Sequence, residues 1–253
     1  MTPLTESLMI LGVLLVSALL GIGASLMLPD SHRTDSTRTH FAATVSVVAT
    51  LTALVLGLAF SNANAARVSM MQDVGLLSSG IVRADTQLRD FGADAAPARA
   101  TLAQFARQKL QDLFPGPQGG ETNTGNPATA ALLDQLQSQI LALTPHTEAE
   151  KWRQSQALSL TADIETARWA IAEQSHVAMP IAALIVISFW LAVLYGTYGF
   201  FMPRHGTAVV ALVLSAMAVA GAILMILEAR TPFAGVVRIS DASLVEAVAT
   251  VGK

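Results

Sequence analysis

The sequence has no cysteine. Disulfide bonds, cysteine-bound metal sites and thiol nucleophiles are therefore excluded. The 5 histidines form no pair with the spacing of a zinc protease, and the glycine-rich signatures of nucleotide-binding loops are also absent. We therefore predict that the chain is not an enzyme and that it has no catalytic residue, no metal site and no cofactor-binding site.

Charged residues are also scarce. They make up 13% of the 253 residues, whereas soluble domains carry about 25%. The formal net charge is −3 and there is no run of lysine or arginine, so nothing in the sequence indicates a nucleic-acid partner. Together with a mean hydropathy of +0.53, this scarcity of charge predicts that lipid surrounds much of the surface.

The uncharged residues are concentrated in long stretches. Each is long enough to cross a hydrocarbon core, which takes about 20 residues of helix, and helices satisfy their own backbone groups in lipid. The first has no basic residue before it and no A-x-A site after it, so we predict a retained helix and not a signal peptide. The stretches without Asp, Glu, Lys or Arg are 7–29, 39–66, 174–203 and 205–227. The membrane helices predicted within them are 8–28, 41–61, 178–200 and 206–228.

A polar insert separates the second and third predicted membrane helices. Apolar residues follow one another there at steps of four and three, which is typical of a helix with one buried seam. No stretch has the pattern of a strand, so the predicted fold is all-α: an integral membrane protein with four transmembrane helices in two pairs and a helical-bundle insert. The seam consists of Met70, Val74, Leu77, Ile81, Ala84, Leu88 and Phe91.

Four domains are predicted from these patterns. The seam of the insert either packs the core of one bundle or also holds subunits together. The C-terminal helix either docks on the insert or lies along the membrane surface. The predicted domains are 1–61 (first pair of membrane helices), 62–177 (insert), 178–228 (second pair) and 229–253 (a turn and a short amphipathic helix).

Small residues recur along the second membrane helix at Ser46, Ala49, Ala53 and Gly57. Such a stripe either lets helix backbones approach closely or lines a pore. A similar stripe runs through Gly21 on the first helix. No ionisable residue lies in the middle of any predicted membrane helix, which argues against an ion-coupled carrier and leaves a channel allowed.

Three arginines lie in the short connections between paired membrane helices: Arg33, Arg38 and Arg204. They either surround an opening and attract anions or anchor the helix ends. Lysine and arginine near the remaining helix ends favour a cytoplasmic location for the insert and both termini.

Two groups of residues resemble a known family. The first includes Gly57 and Phe60 near the end of the second helix. The second group is more specific and consists of Trp190, Gly199, Pro203, Pro232, Phe233 and Gly235. Together they resemble the bacterial bestrophin-like family, a domain of unknown function with four membrane helices. Asp73 stands where members of that family commonly carry glutamate.

The resemblance implies a multi-pass protein of the bacterial inner membrane. It also implies kinship with bestrophins, which are oligomeric anion channels whose pores depend on aromatic residues in the second membrane helix. Here that helix has aromatic residues only near its ends, at Phe41 and Phe60. The leading hypothesis is a homo-oligomer, surrounded by membrane lipid, that conducts ions, with anions preferred. The alternative is a non-conducting scaffold or sensor whose insert binds a protein partner.

Overall fold

The computed structural model describes residues 2–27, 35–116, 122–176, 181–203, 205–229, 231–233 and 238–252. Within these ranges the fold is all-α, as predicted, and no strand occurs. A 3-10 turn, Ala93–Ala95, separates the second and third helices. The helices are α1 (Pro3–Met27), α2 (Asp35–Phe91), α3 (Ala96–Leu113), α4 (Pro127–Leu141), α5 (Glu148–His176), α6 (Ile181–Phe201), α7 (Gly206–Glu228) and α8 (Ala242–Thr250).

Four of these helices are long and apolar enough to cross a membrane: α1, the first part of α2, α6 and α7. This confirms the predicted spans, with differences at their ends. Helix α1 begins five residues earlier than predicted, because Glu6 lies in its first turn, where the helix dipole favours a negative charge. Helix α2 begins at Asp35 and not at residue 41, and it continues unbroken to Phe91. The predicted start of the third span falls partly on residues outside the described ranges.

The chain divides into two compact units. The membrane unit consists of Met1–Ala65 and Ala178–Arg230, and the polar unit consists of Ala66–Val177 and Thr231–Lys253. Helix α2 contributes to both units. Residues Thr231–Lys253 therefore belong to the same compact unit as the insert.

In the membrane unit, α1 packs closely along α6 through glycine. A Cβ atom added at Gly21 would collide with the backbone carbonyl of Gly196, and one added at Gly199 would collide with the carbonyl of Ala18. The two backbones therefore touch without side chains between them. Helix α1 is also tied to α7, because the Ser7 hydroxyl donates a hydrogen bond of 2.8 Å to the carbonyl of Ala220.

In the polar unit, the seam of α2 is buried. All seven of its residues belong to one apolar core, which also contains Phe105 of α3, Leu136 of α4 and Ile164 of α5. The seam therefore packs the core of the bundle, as the first of the two interpretations predicts. An ion pair adds a polar link between α2 and α3, since the guanidinium of Arg99 binds both carboxylate oxygens of the buried Asp85 at 2.9 and 3.1 Å.

Local signals set where α4 and α5 begin. The Asn126 side chain accepts a hydrogen bond from the Ala128 amide at 3.0 Å, and Pro127 occupies the first turn of α4. At α5, the Thr147 hydroxyl accepts from the Glu150 amide at 3.1 Å while the Glu150 carboxylate accepts from the Thr147 amide at 3.2 Å. This reciprocal arrangement is a capping box, and it satisfies backbone donors that a helix start leaves free.

Helix α8 docks on the polar unit, in agreement with the first of the two alternatives for it. Leu244 and Ala247 are buried in its core. The chain before α8 is also anchored there, because the ring of Phe233 meets that of Phe114 edge to face with centroids 5.4 Å apart. The Ile239 amide donates to the carbonyl of Pro232 at 2.7 Å. Pro232 and Phe233, two residues of the family resemblance, thus fasten the C-terminal segment.

We expect Phe233→Ala to destabilise the polar unit by about 3 kcal/mol, because it removes a buried ring and leaves a cavity. Val245→Ala, on the exposed side of α8, is the matched control and should have little effect. Thermal unfolding in detergent, followed by tryptophan fluorescence, measures both. Equal unfolding temperatures for the two variants would contradict the anchoring role of Phe233.

One lysine of the polar unit is buried. Lys109 of α3 is fully buried, and its ammonium donates a hydrogen bond of 2.8 Å to the carbonyl of Thr124. The nearby Asp112 carboxylate accepts hydrogen bonds from the side-chain amide of Asn126, at 2.9 Å to one oxygen and 3.0 Å to the other. Burial lowers the pKa of Lys109 from 10.5 to about 8; the charge of Asp112 opposes this shift, and that of Arg168 adds to it.

The lowered pKa predicts a pH dependence of stability. The folded protein binds this proton more weakly than the unfolded chain. The contribution of Lys109 to the free energy of unfolding is therefore largest above pH 10.5, decreases as the pH is lowered, and becomes constant below about pH 8. Between pH 7 and pH 9 the free energy of unfolding should rise by about 1 kcal/mol through this group.

Lys109→Met should remove that rise, since methionine carries no proton. Unfolding of the wild type and the variant at pH 7, 8 and 9 tests this, because all other titrating groups cancel in the difference between the two proteins. A difference that does not change with pH would contradict the assignment.

Candidate functional site

Most of the small-residue stripe of α2 is left exposed by the part of the chain that the structure describes. Ser46, Ala53 and Gly57 are exposed and Ala49 is half-buried. Only 6% of the most apolar part of α2 is buried, against 28% for α1 and α6 and 22% for α7. Within the described part of the chain, only Ala49 of this stripe packs against the apolar core of the membrane unit, whereas the glycine stripe of α1 contacts the backbone of α6.

A second side of α2 also faces outward and differs in character. It carries large apolar side chains that are 53–66% exposed: Val47, Leu51, Leu54 and Leu58. Such side chains suit contact with lipid chains. Because residues three and four apart share a helix face, the large apolar side chains and the small residues form separate surfaces along the same membrane-spanning helix.

Part of the stripe opens into a cavity of about 600 Å³ between α2 and α6. Ser46, Ala49 and Ala53 line it, while Gly57 is not among its lining residues. None of the lining residues that the structure describes is charged. The others are Ala42, Val45 and Thr50 of α2, Thr197, Tyr198 and Phe201 of the end of α6, and Pro203 just after α6.

Aromatic rings connect the two walls of this cavity. Phe41, next to the lining residue Ala42, lies with its ring centroid 5.3 Å from that of Phe201. Phe201 also meets Phe200 edge to face at 4.8 Å. Within the described ranges, the start of α2 and the end of α6 are thus joined by aromatic contact.

Two of the lining hydroxyl groups are bonded to their own helices. The Thr50 hydroxyl donates to the Ser46 carbonyl at 2.8 Å, and the Thr197 hydroxyl donates to the Val193 carbonyl at 2.8 Å. By contrast, the hydroxyls of Ser46 and Tyr198 donate no hydrogen bond within the part of the chain that the structure describes. The cavity therefore has one free hydroxyl donor on each wall.

The other residues singled out in the sequence lie apart from this cavity or beyond the described ranges. Gly199 packs α6 against α1, Trp190 is half-buried on α6, and Pro203 lines the cavity. The side chains of Arg33, Arg38 and Arg204 lie outside the described part of the chain, and so does Gly235.

The sequence alone did not assign Thr197, Tyr198 and Phe201 to this site. Tyr198 looked like an aromatic anchor at the membrane surface, because tyrosine near the end of a membrane helix is common there. The only local signal is that the three residues fall within about one turn of α6. Their role depends on which part of α2 lies opposite, and the sequence of α6 does not contain that information.

Comparison with known proteins gives a family and a fold. The family described as Bestrophin-like domain matches residues 11–244. A search of curated proteins finds no match. Among solved structures, the chain is similar to a mutant of a bacterial bestrophin homolog from Klebsiella pneumoniae, with a TM-score of 0.75 and 12% sequence identity, over 99% of this chain and 97% of that chain. An identity this low establishes a common fold only. Because the family match extends over residues 11–244, the chain belongs to the Bestrophin-like family.

Proposed function

We propose that the protein is a homo-oligomer that conducts ions across the bacterial inner membrane, with anions preferred. The observation that carries this proposal is the uncharged, small-residue face of α2, which the chain's own fold leaves open. In a ring of subunits with α2 nearest the axis, Ser46, Ala49, Ala53 and Gly57 would line the pathway. The lysine and arginine residues near the helix ends favour a cytoplasmic location for the insert and both termini.

The surfaces of α2 support this assignment. A face of serine, alanine and glycine offers little apolar area to lipid, whereas the face formed by Leu51, Leu54 and Leu58 offers much more. The small face is therefore the side of α2 better suited to a neighbouring subunit or to water. Its lack of charge fits a conducting pathway, which binds ions weakly enough to release them.

The preference for anions rests on the kinship with bestrophins. The arginines at 33, 38 and 204 would add to it if they surround the outer opening, because positive charge at a mouth raises the local anion concentration.

Reconstitution of the purified protein into liposomes tests the proposed function. We expect chloride efflux above that of protein-free vesicles, and native mass spectrometry in mild detergent should give one closed assembly of four or more subunits. A monomer or dimer, or liposomes that stay tight to chloride, potassium and protons, would overturn the proposal.

The alternative scaffold or sensor has less support in the structure. It would use the outer seams of the insert to bind a partner, but the seam of α2 is buried in the core of the polar unit. A partner would need a different surface of that unit.

A further inference from the structure

We infer that α6 forms the second wall of the pathway and that Tyr198, together with Ser46 of α2, binds the permeating anion. This inference rests on the proposed function and adds the residues that would decide which ions pass. The ligand class is a small monovalent inorganic anion, with chloride as the representative.

The first step is the origin of the two walls. The α2 wall consists mostly of alanine, serine and threonine, so it is smooth and leaves the space between the helices open. The α6 wall contributes the two large side chains that line the cavity, Tyr198 and Phe201. The width and chemistry of the cavity at this level are therefore decided by α6.

The second step is the supply of hydrogen-bond donors. A chloride ion that leaves water needs donors to replace part of its hydration. The hydroxyls of Thr50 and Thr197 are already used by their own helices. Ser46 and Tyr198 keep their O–H groups free within the described part of the chain, one on each helix, and both line the same cavity.

The third step is the lack of a negatively charged ligand for a cation among the described lining residues. None of them carries a carboxylate, and those of α2 and α6 lie in helices, whose backbone carbonyls accept intrahelical hydrogen bonds. Free donors without free acceptors of high charge favour an anion over a cation.

Tyr195 provides a matched control, because it lies three residues before Tyr198 on the same helix. Its hydroxyl is bound to Ser215 of α7 at 3.1 Å and its side chain is buried in the membrane unit. Tyr195→Phe thus removes a phenol hydroxyl from α6 without changing the cavity, whereas Tyr198→Phe removes the free one and keeps the ring.

The test is the chloride-to-potassium permeability ratio, measured from reversal potentials of the reconstituted full-length protein in planar bilayers under a KCl gradient. Tyr198→Phe should lower the ratio about tenfold, the factor that one hydrogen bond to a charged group supplies. Ser46→Ala should lower it in the same direction. Tyr195→Phe should keep the wild-type ratio.

The outcomes separate this inference from the proposed function. A wild type that conducts chloride while Tyr198→Phe and Ser46→Ala keep its permeability ratio would overturn the inference and leave the function standing. An equal loss in Tyr195→Phe and Tyr198→Phe would also overturn it, because the effect would then follow from altered packing of α6. A wild type that conducts no ion would overturn both.

Discussion

Ala53→Trp should abolish the chloride flux of the reconstituted protein. Ala53 is exposed on the small face of α2 and lines the cavity between α2 and α6. An indole at this position would fill space that the proposed pathway needs. Flux of chloride from liposomes, normalised to the amount of assembled protein, measures the effect.

Leu54→Trp is the control for this prediction. Leu54 is the next residue of α2, it is 66% exposed, and it lies on the large apolar face. The same indole there should face lipid and leave flux near the wild-type value. If both variants conduct alike, or if Leu54→Trp is the one that blocks, the small face does not line the pathway.

Gly21→Val should prevent the membrane unit from folding or destabilise it strongly. A Cβ atom at Gly21 would meet the carbonyl group of Gly196 and the backbone nitrogen of Phe200. These are backbone atoms, so no side-chain rotation can relieve the overlap, and α1 would have to move away from α6. Overpacking of a well-packed interior costs about 1–3 kcal/mol and sometimes more; contact with backbone places this site at the upper end.

Gly12→Val is the matched control on the same helix. A Cβ atom at Gly12 has nothing within 4 Å, so the same valine should be accepted there. The unfolding temperature in detergent and the fraction of protein that elutes as a single species report on both variants. Normal folding of Gly21→Val would show that α1 and α6 do not pack through glycine.

The membrane spans and the core of the insert were predictable because both follow from simple physical patterns. A charge in the hydrocarbon core is costly, so the uncharged stretches mark the spans, and α7 ends at Glu228 as predicted. The seam from Met70 to Phe91 was predictable from its steps of four and three, and its continuity with the second membrane helix from the lack of glycine and proline between Gly57 and Gly75.

The roles of the two small-residue stripes were not predictable from the sequence. Gly21 and Ala53 belong to similar patterns, yet Gly21 contacts backbone and Ala53 is exposed. The difference arises from what lies opposite: Gly196 and Gly199 of α6 let α1 approach, whereas α2 meets a wall of larger side chains that includes Tyr198 and Phe201. Partner choice between helices is a property of the folded chain, and spacing along one helix does not encode it.

Accessibility of α2 to water tests the central claim most directly, and the lack of cysteine in the chain makes every introduced thiol unique. Single substitutions would be treated with a charged, membrane-impermeant thiol reagent after reconstitution. The account predicts fast labelling, with loss of chloride flux, at Ser46→Cys, Ala49→Cys, Ala53→Cys and Gly57→Cys. It predicts slow labelling without loss of flux at Val47→Cys, Leu51→Cys, Leu54→Cys and Leu58→Cys. Equal labelling of the two faces, or protection of the small face alone, would contradict the claim that the small face of α2 lines an aqueous pathway.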